Sequence, residues 1–328
     1  FWKRVYHHLS IKVLWSMYDV DADKLVKAAA LQDLGGIFAG SHWSNYPMNR
    51  IDNQKCYDAL ITWGKSYIQE TFTQYPHQMI VEAGYPLDFY FEQYRKPAQE
   101  LRAQFPDQFI ISYHDNICGY DLPYSMNMQL QMHNMLMDLL IKYPRTTLFL
   151  KPKNKAYFKE VCEGLPTLQS LVDAGRIVIF LGEDGRRKAV PALIGMASDV
   201  VVGLGISSAS AECQFAGTLG LHADLTCFSS NQFANAGLGK IVFRDIKTLT
   251  QALEECIQKK RSINSQDYKE LYEGLDPFCD GNAYKRTGFI LNRLLSYLNE
   301  GQTPKRAMEM TSKDYEQYKQ EGSYAITR

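Results

Sequence analysis

Short apolar runs rich in β-formers alternate along this chain with segments of helical period. That rhythm constrains its fold more than any other feature. IKVLWSMYD, beginning at Ile11, reads as a strand, and ADKLVKAAALQDLGG follows with apolar residues at helical spacing and a Gly-Gly stop. GIFAGSHWS is the next strand, then YDALITWG, the helical KSYIQETFTQYP and the strand QMIVEAGYP. Two parallel strands can be joined only by a long crossover, usually a helix, so strand-helix-strand repetition predicts a parallel sheet covered by helices on both faces.

The rhythm breaks at LDFYFEQYRKPAQELRAQFP, Leu87 to Pro106, which is aromatic, charged and punctuated by two prolines, and is read as the linker or domain boundary. A second series follows: strands in FIISYHDN, TTLFLKPK, RIVIFLGED, DVVVGLG, LHADLT and KIVFRD. Helices fall between them in Tyr124 to Lys142, AYFKEVCEGLPTLQSLVDAG, VPALIGMAS and SSASAECQFAGTLG. The expected architecture is α/β, with two doubly wound parallel-sheet domains, the first of them shortened. Residues 1–105 form the first domain, 106–282 the second and 283–300 a helix crossing back to the first, while 301–328 form a polar, mobile tail.

Composition narrows the function. The 36 basic and 36 acidic residues cancel, leaving no field to draw the chain onto DNA or RNA. No nucleic-acid partner is expected. The seven cysteines include no C-x-x-C pair and read as reduced thiols. With no membrane-length apolar run and no leader-like start, the expected location is cytoplasmic. The aromatic, basic start FWKRVYHH could bring the chain to the inner face of a membrane.

Open parallel sheets bind ligands beyond the carboxyl ends of their strands, so chemistry is sought in the loops there. In GLGISSASAEC, Gly203 to Cys213, a strand runs through small residues into a helix start, which favours anions. Ser207 and Ser208 are candidates for a phosphate and Glu212 for a ribose hydroxyl; alternatively, a serine caps the helix and Glu212 is a solvated first-turn acid. In LFLKPKNK, Lys151 and Lys153 could neutralise a pyrophosphate or simply be solvated. In ISYHDN, His114 and Asp115 could act as acid or base, or form a turn with local hydrogen bonds. Glu183, in LGEDGRR, could hold a base or sugar hydroxyl or belong to a charged turn. In GSHWSNYP, the trio His42, Trp43 and Ser44 suits a carbohydrate, because an aromatic ring stacks on sugar faces. The five methionines from Met126 to Met137 read as core packing. His7 and His8 have no third ligand at metal spacing, and no metal site is expected. The chain has no G-x-G-x-x-G after its first strand, no P-loop and no G-x-S-x-G, which weighs against nicotinamide dehydrogenases, P-loop ATPases and serine-elbow hydrolases.

The order of these blocks resembles the two-domain GT-B glycosyltransferases that build bacterial surface polysaccharides. ALQDLGG-IFAGSHWSN, YDALITWGKSYIQETF and IVEAGYP are similar to the end of that family's first domain. LFLKPK, IVIFLGED, ASDVVVGLGISSASAECQFAGTLGLHADLT, GKIVFRDIKTLTQAL and DPFCDGNAYKRTGFILNRLL are similar to its donor domain. Within the family, the likeness leans to enzymes of lipopolysaccharide or capsule assembly, including those that use CMP-activated keto sugars such as 3-deoxy-octulosonic acid.

The resemblance implies a CMP- or UDP-linked sugar donor held by Lys151, Lys153, Glu183, Ser207, Ser208 and Glu212, with no metal cofactor. His114 or Asp115 would be the acid or base. A glycan or lipid-linked glycan acceptor would meet His42, Trp43 and Ser44, with a membrane surface or synthase as possible partner. Two other readings stand beside it: a nucleotide-sugar 2-epimerase, and a non-catalytic GT-B-like module that binds a glycan or serves as a scaffold.

Overall fold

The computed structural model describes residues 1–17, 21–42, 44, 56–68, 79–118, 123–181, 190–227, 232–259 and 268–325. The chain divides into two compact units. The first comprises Phe1–Trp43, Asn49–Phe89 and Leu275–Arg328, the second Ser44–Met48 and Tyr90–Gly274.

In the first unit, β1 (Val13–Ser16), β2 (Ile37–Gly40), β3 (Ala59–Thr62) and β4 (Met79–Glu82) form a parallel sheet in sequence order. Helices α1 (Trp2–His8) and α2 (Ala22–Gln32) precede β1 and β2. The Asp21 carboxylate caps α2 by accepting from the Asp23 N–H at 3.0 Å. The helix expected over KSYIQETFTQYP is described only at its start, as a single 3-10 turn at Lys65–Tyr67. Residues 69–78 lie outside the described residues.

Helices α12 (Ala283–Asn299) and α13 (Pro304–Ala325) also belong to this first unit. Ile290, Leu294 and Tyr297 of α12, with Ala307, Met308 and Tyr315 of α13, close a core on Ile37, Ala39, Ala59, Ile61, Met79 and Val81 of the sheet. The expected mobile tail is therefore corrected: most of it is a helix with a buried apolar stripe. The Tyr315 hydroxyl donates to the Glu82 carbonyl at 2.5 Å, and Asp314 joins Arg293 and Tyr297 across the helix pair. Arg286 anchors the head of α12, donating to the Ala83 carbonyl at 2.7 Å and bidentately to Asp280 at 2.8 and 2.9 Å.

The second unit contains β5 (Phe109–His114), β6 (Thr146–Lys151), β7 (Ile177–Ile179), β8 (Val200–Leu204), β9 (Gly220–Ala223) and β10 (Val242–Phe243), all parallel. Their spatial order is β10-β9-β8-β5-β6-β7. In chain order this is the doubly wound 3-2-1-4-5-6 arrangement, whose winding reverses between β5 and β8. β8 is buried along its whole length, as a central parallel strand requires.

The segment read as the linker or domain boundary holds the division between the units, at Phe89 and Tyr90, but most of it is helix α3 (Phe91–Ala103), with Pro97 inside it. An interior proline costs a helix roughly 3 kcal/mol. Burial offsets that cost here: Ala98 is in the core with Ile110, Phe149, Phe180 and Ile194, and Leu101 and Phe105 pack against it. The remaining helices are α4 (Met126–Lys142), α5 (Lys155–Glu163), α6 (Leu168–Asp173), α7 (Pro191–Met196), α8 (Ser208–Phe215), α9 (Gln232–Gly237), α10 (Ile246–Lys259) and α11 (Lys269–Leu275). The helical stretch expected after Lys155 is two helices, α5 and α6, separated by the sequence Gly164-Leu165-Pro166-Thr167. Met132, Met135 and Met137 are buried on α4.

Candidate functional site

The winding reversal places the carboxyl ends of β5 and β8 side by side, with β6 on the other flank of β5. His114 closes β5, in register with Lys151 on β6 and Gly203 on β8. Sequence reasoning named the loops after these three strands separately, and the sheet makes them neighbours.

Asp115 is buried just beyond β5, and its Oδ1 accepts from the Lys153 N–H at 2.5 Å. Burial pushes its carboxyl up to about 7, against the opposing pull of that N–H and of the Lys151 and Lys153 charges. His114 is also buried, and desolvation, aided by the Lys151 charge, lowers its imidazole to about 3. It is neutral at physiological pH. Its Nε2 lies 3.7 Å from Sγ of Cys213, while its Nδ1 has no hydrogen-bond partner among the described residues. Of the two expected acid-base residues, Asp115 has the better-matched affinity for a proton near neutrality.

Lys151 ends β6 and is 5% exposed, whereas Lys153 lies on the loop beyond. Ser207 is the N-cap of α8, accepting from the Ser210 N–H at 3.3 Å. The cap continues inward: Ser210 Oγ lies 3.2 Å from Nδ1 of His222, whose Nε2 is 2.9 Å from Nε2 of Gln214. Burial lowers the His222 imidazole to about 4. Ser208 opens α8, and its Oγ lies 2.7 Å from that of Ser44, a residue grouped with the second unit.

Glu212, read as a contact for a ribose hydroxyl or else as a solvated first-turn acid, departs from the second of these readings. It sits in the second turn of α8, half-buried, and its Oε1 accepts from the Ala192 N–H at 3.0 Å. Ala192 is in the first turn of α7, so this carboxylate braces one helix start against another helix.

Two residues that sequence reasoning missed organise the crevice. Asn116 Oδ1 accepts from the Ile117 N–H at 3.0 Å and from Lys153 Nζ at 2.9 Å, and its Nδ2 donates to the Leu204 carbonyl at 3.3 Å. Its side chain also lies against the Tyr124 hydroxyl and offsets part of the burial that pushes this phenol up to about 12. Tyr124 in turn covers Gly205. That glycine has φ +74°, and a Cβ there would fall 1.8 Å from the tyrosine Oη, so both the backbone angle and the space require glycine. The signal in the sequence was Asn116 itself, next to the Asp115 already singled out.

Of the expected acceptor trio, the structure describes His42 and Ser44. His42 is fully buried in the first unit, with its ring 4.3 Å from Trp63 and 4.1 Å from Tyr67 and its Nε2 accepting from the Trp63 N–H at 3.2 Å. The expectation that it faces an acceptor is corrected by this packing. Trp43 and Glu183 lie outside the described residues. Among the described residues no group of three His, Cys, Asp or Glu side chains could hold a metal ion, and no helix is long and apolar enough to cross a membrane.

No protein-family profile matches the chain, and no curated protein matches it by sequence. Solved structures do match in fold. S. aureus MnaA in complex with UDP aligns with a TM-score of 0.59 at 13% identity, covering 91% of this chain and 77% of that one. A Listeria monocytogenes protein assigned as a UDP-N-acetylglucosamine 2-epimerase gives 0.59 at 12% identity, covering 92% and 79%. The wall teichoic acid polymerase TagF gives 0.56 at 11% identity, covering 88% and 74%. The chain thus has the two-unit, parallel-sheet α/β fold of GT-B type that these proteins share. At such identities the likeness defines the fold alone.

Proposed function

We propose that the protein is a glycosyltransferase of GT-B type that moves a sugar from a nucleotide donor to a glycan. The observation that carries this reading is the convergence of Lys151, Lys153, Asp115, Ser207 and Ser208 where the winding of the second sheet reverses. Two cations and a helix start suit a pyrophosphate or phosphate, the part of a nucleotide sugar on which charge develops as the bond from phosphate oxygen to the anomeric carbon breaks. The acceptor hydroxyl forms the new bond to that carbon and gives up its proton. Asp115, which gains and loses a proton near pH 7, is the residue offered as acid or base. The resemblance of the sequence blocks supports a CMP- or UDP-linked donor and an acceptor belonging to a surface polysaccharide such as lipopolysaccharide or capsule.

A second reading, nucleotide-sugar 2-epimerase, is favoured by the same Asp115, since a buried carboxyl poised near neutrality can shuttle protons without any acceptor. Incubating the protein with a nucleotide sugar alone separates the two: an isomer marks the epimerase, and slow hydrolysis the transferase. The donor site itself is tested by thermal shift with CMP, UMP, UDP, GDP, ADP and dTDP, because a ligand that binds only the folded state raises its melting temperature. One nucleotide is expected to stand out. A flat response to all six would sink the donor-site reading and favour a non-catalytic module.

A further inference from the structure

We propose that Asn116 is the positioning residue of the donor site: its carboxamide holds the Lys153 ammonium in place for an incoming phosphate. This rests on the donor-site reading above. Three strand-end loops meet at this one side chain. Asn116 follows β5, its Oδ1 accepts from Lys153 Nζ on the loop after β6, and its Nδ2 donates to the Leu204 carbonyl at the end of β8. The Asn116 carbonyl accepts from Nε2 of Gln129 at 2.6 Å, and Oε1 of that glutamine accepts from the Tyr113 hydroxyl at 2.9 Å. Gln129 and Tyr113 are both buried, so the hub is fixed from beneath as well as from three sides.

The chemistry explains why an amide suits this place. A lysine side chain has four rotatable bonds and loses rotamer entropy when ordered, a cost that would otherwise fall on ligand binding. An amide oxygen orders the ammonium beforehand without cancelling its charge, whereas a carboxylate in the same position would pair with it and compete with the phosphate. Asn116 also differs from its neighbour in kind. Asp115 takes the backbone N–H of Lys153 and Asn116 takes the ammonium, so adjacent residues fix both ends of the same lysine.

The test is a double-mutant cycle read by titration with UDP and with CMP at fixed ionic strength. Lys153→Ala is expected to weaken binding of the responding nucleotide about tenfold in the wild-type background and less than threefold in Asn116→Ala, because the two residues act as one unit. Asn116→Asp, which keeps the shape, adds a charge and replaces the donor facing the Leu204 carbonyl by an acceptor, is expected to weaken binding by about tenfold or more and to lower the melting temperature of the unliganded protein. It should also move the pH dependence of binding upward, since a new anion beside Asp115 disfavours its ionisation. A merely structural asparagine would leave the cost of Lys153→Ala the same in both backgrounds. Nucleotide binding by the wild type with Lys153→Ala costing the same in both backgrounds would overturn the inference and leave the donor site standing. Absence of any nucleotide signal in the wild type would overturn the donor-site reading and this inference with it.

Discussion

Asp115 and Asp88 show how differently two buried carboxyls can behave. Asp115 accepts a hydrogen bond and faces two lysines, and its titration near pH 7 falls where an acid or base is useful. Replacing it by asparagine is expected to lower turnover of a nucleotide sugar by about 10²- to 10⁴-fold and to remove the limb of the pH profile near neutrality. A profile unchanged in shape would exclude it as the acid or base. Asp88, in the first unit, is 2% exposed, and neither oxygen has a hydrogen-bond partner among the described residues. Burial first, and then the Asp276 charge, raise it to about 6, while the Ala283 N–H at the head of α12 pulls it partway back without reaching hydrogen-bond geometry. The folded chain keeps this proton up to about pH 6 and the unfolded chain releases it near 3.8, so the contribution of Asp88 to stability falls as pH rises between those values and stays low above them. Asp88→Asn is therefore expected to stabilise the protein at pH 7.5, by on the order of 2 kcal/mol in denaturant unfolding, and to be neutral at pH 4. What the sequence revealed at this scale followed from strand ends: His114, Asp115, Lys151, Lys153, Ser207 and Ser208 all lie in loops that the apolar runs predict. Asn116 as a hub was not legible, because its partners lie 37 and 88 residues away and become neighbours only through the strand order. His42 was misread because nothing local shows that Trp63 and Tyr67 will enclose it.

Among elements, the strands were legible and several helices were not. A buried parallel strand is a short apolar run wherever it sits, so β5, β6 and β8 stand out without context. Helices α3 and α13 hide because their sequences are mostly polar and their apolar stripes are narrow. A proline in α3 and a charge-rich tail for α13 both argue locally against the structure that packing imposes. Tyr315 measures what α13 contributes: it is buried against the first sheet and donates to the Glu82 carbonyl. Tyr315→Ala is expected to destabilise the first unit by about 3–5 kcal/mol, as large-to-small changes of buried aromatics do. A loss below about 1 kcal/mol, read from chemical denaturation, would mean that the helix adds little to that core.

For the whole molecule, the two units have separate cores and separate sheets, and calorimetry should resolve them. Two transitions are expected, with the responding nucleotide raising the one belonging to Tyr90–Gly274 and Tyr315→Ala lowering the other. One transition moved equally by both would show that the units unfold together. The order of the chain adds a consequence for its biogenesis. The second unit is built almost entirely from one continuous stretch, Tyr90–Gly274, whereas the first sheet is covered on one face by α12 and α13, which are translated after that stretch. A ribosome making this protein releases β1 to β4 long before their covering helices exist. Ile37, Ala59, Ile61 and Val81 must wait, exposed, while the whole second unit is synthesised, so a sheet that emerges before the second unit is finished only after it. Nascent-chain protection by a chaperone is most needed in that interval, and a stop codon anywhere before residue 283 leaves an apolar sheet face for quality control to find.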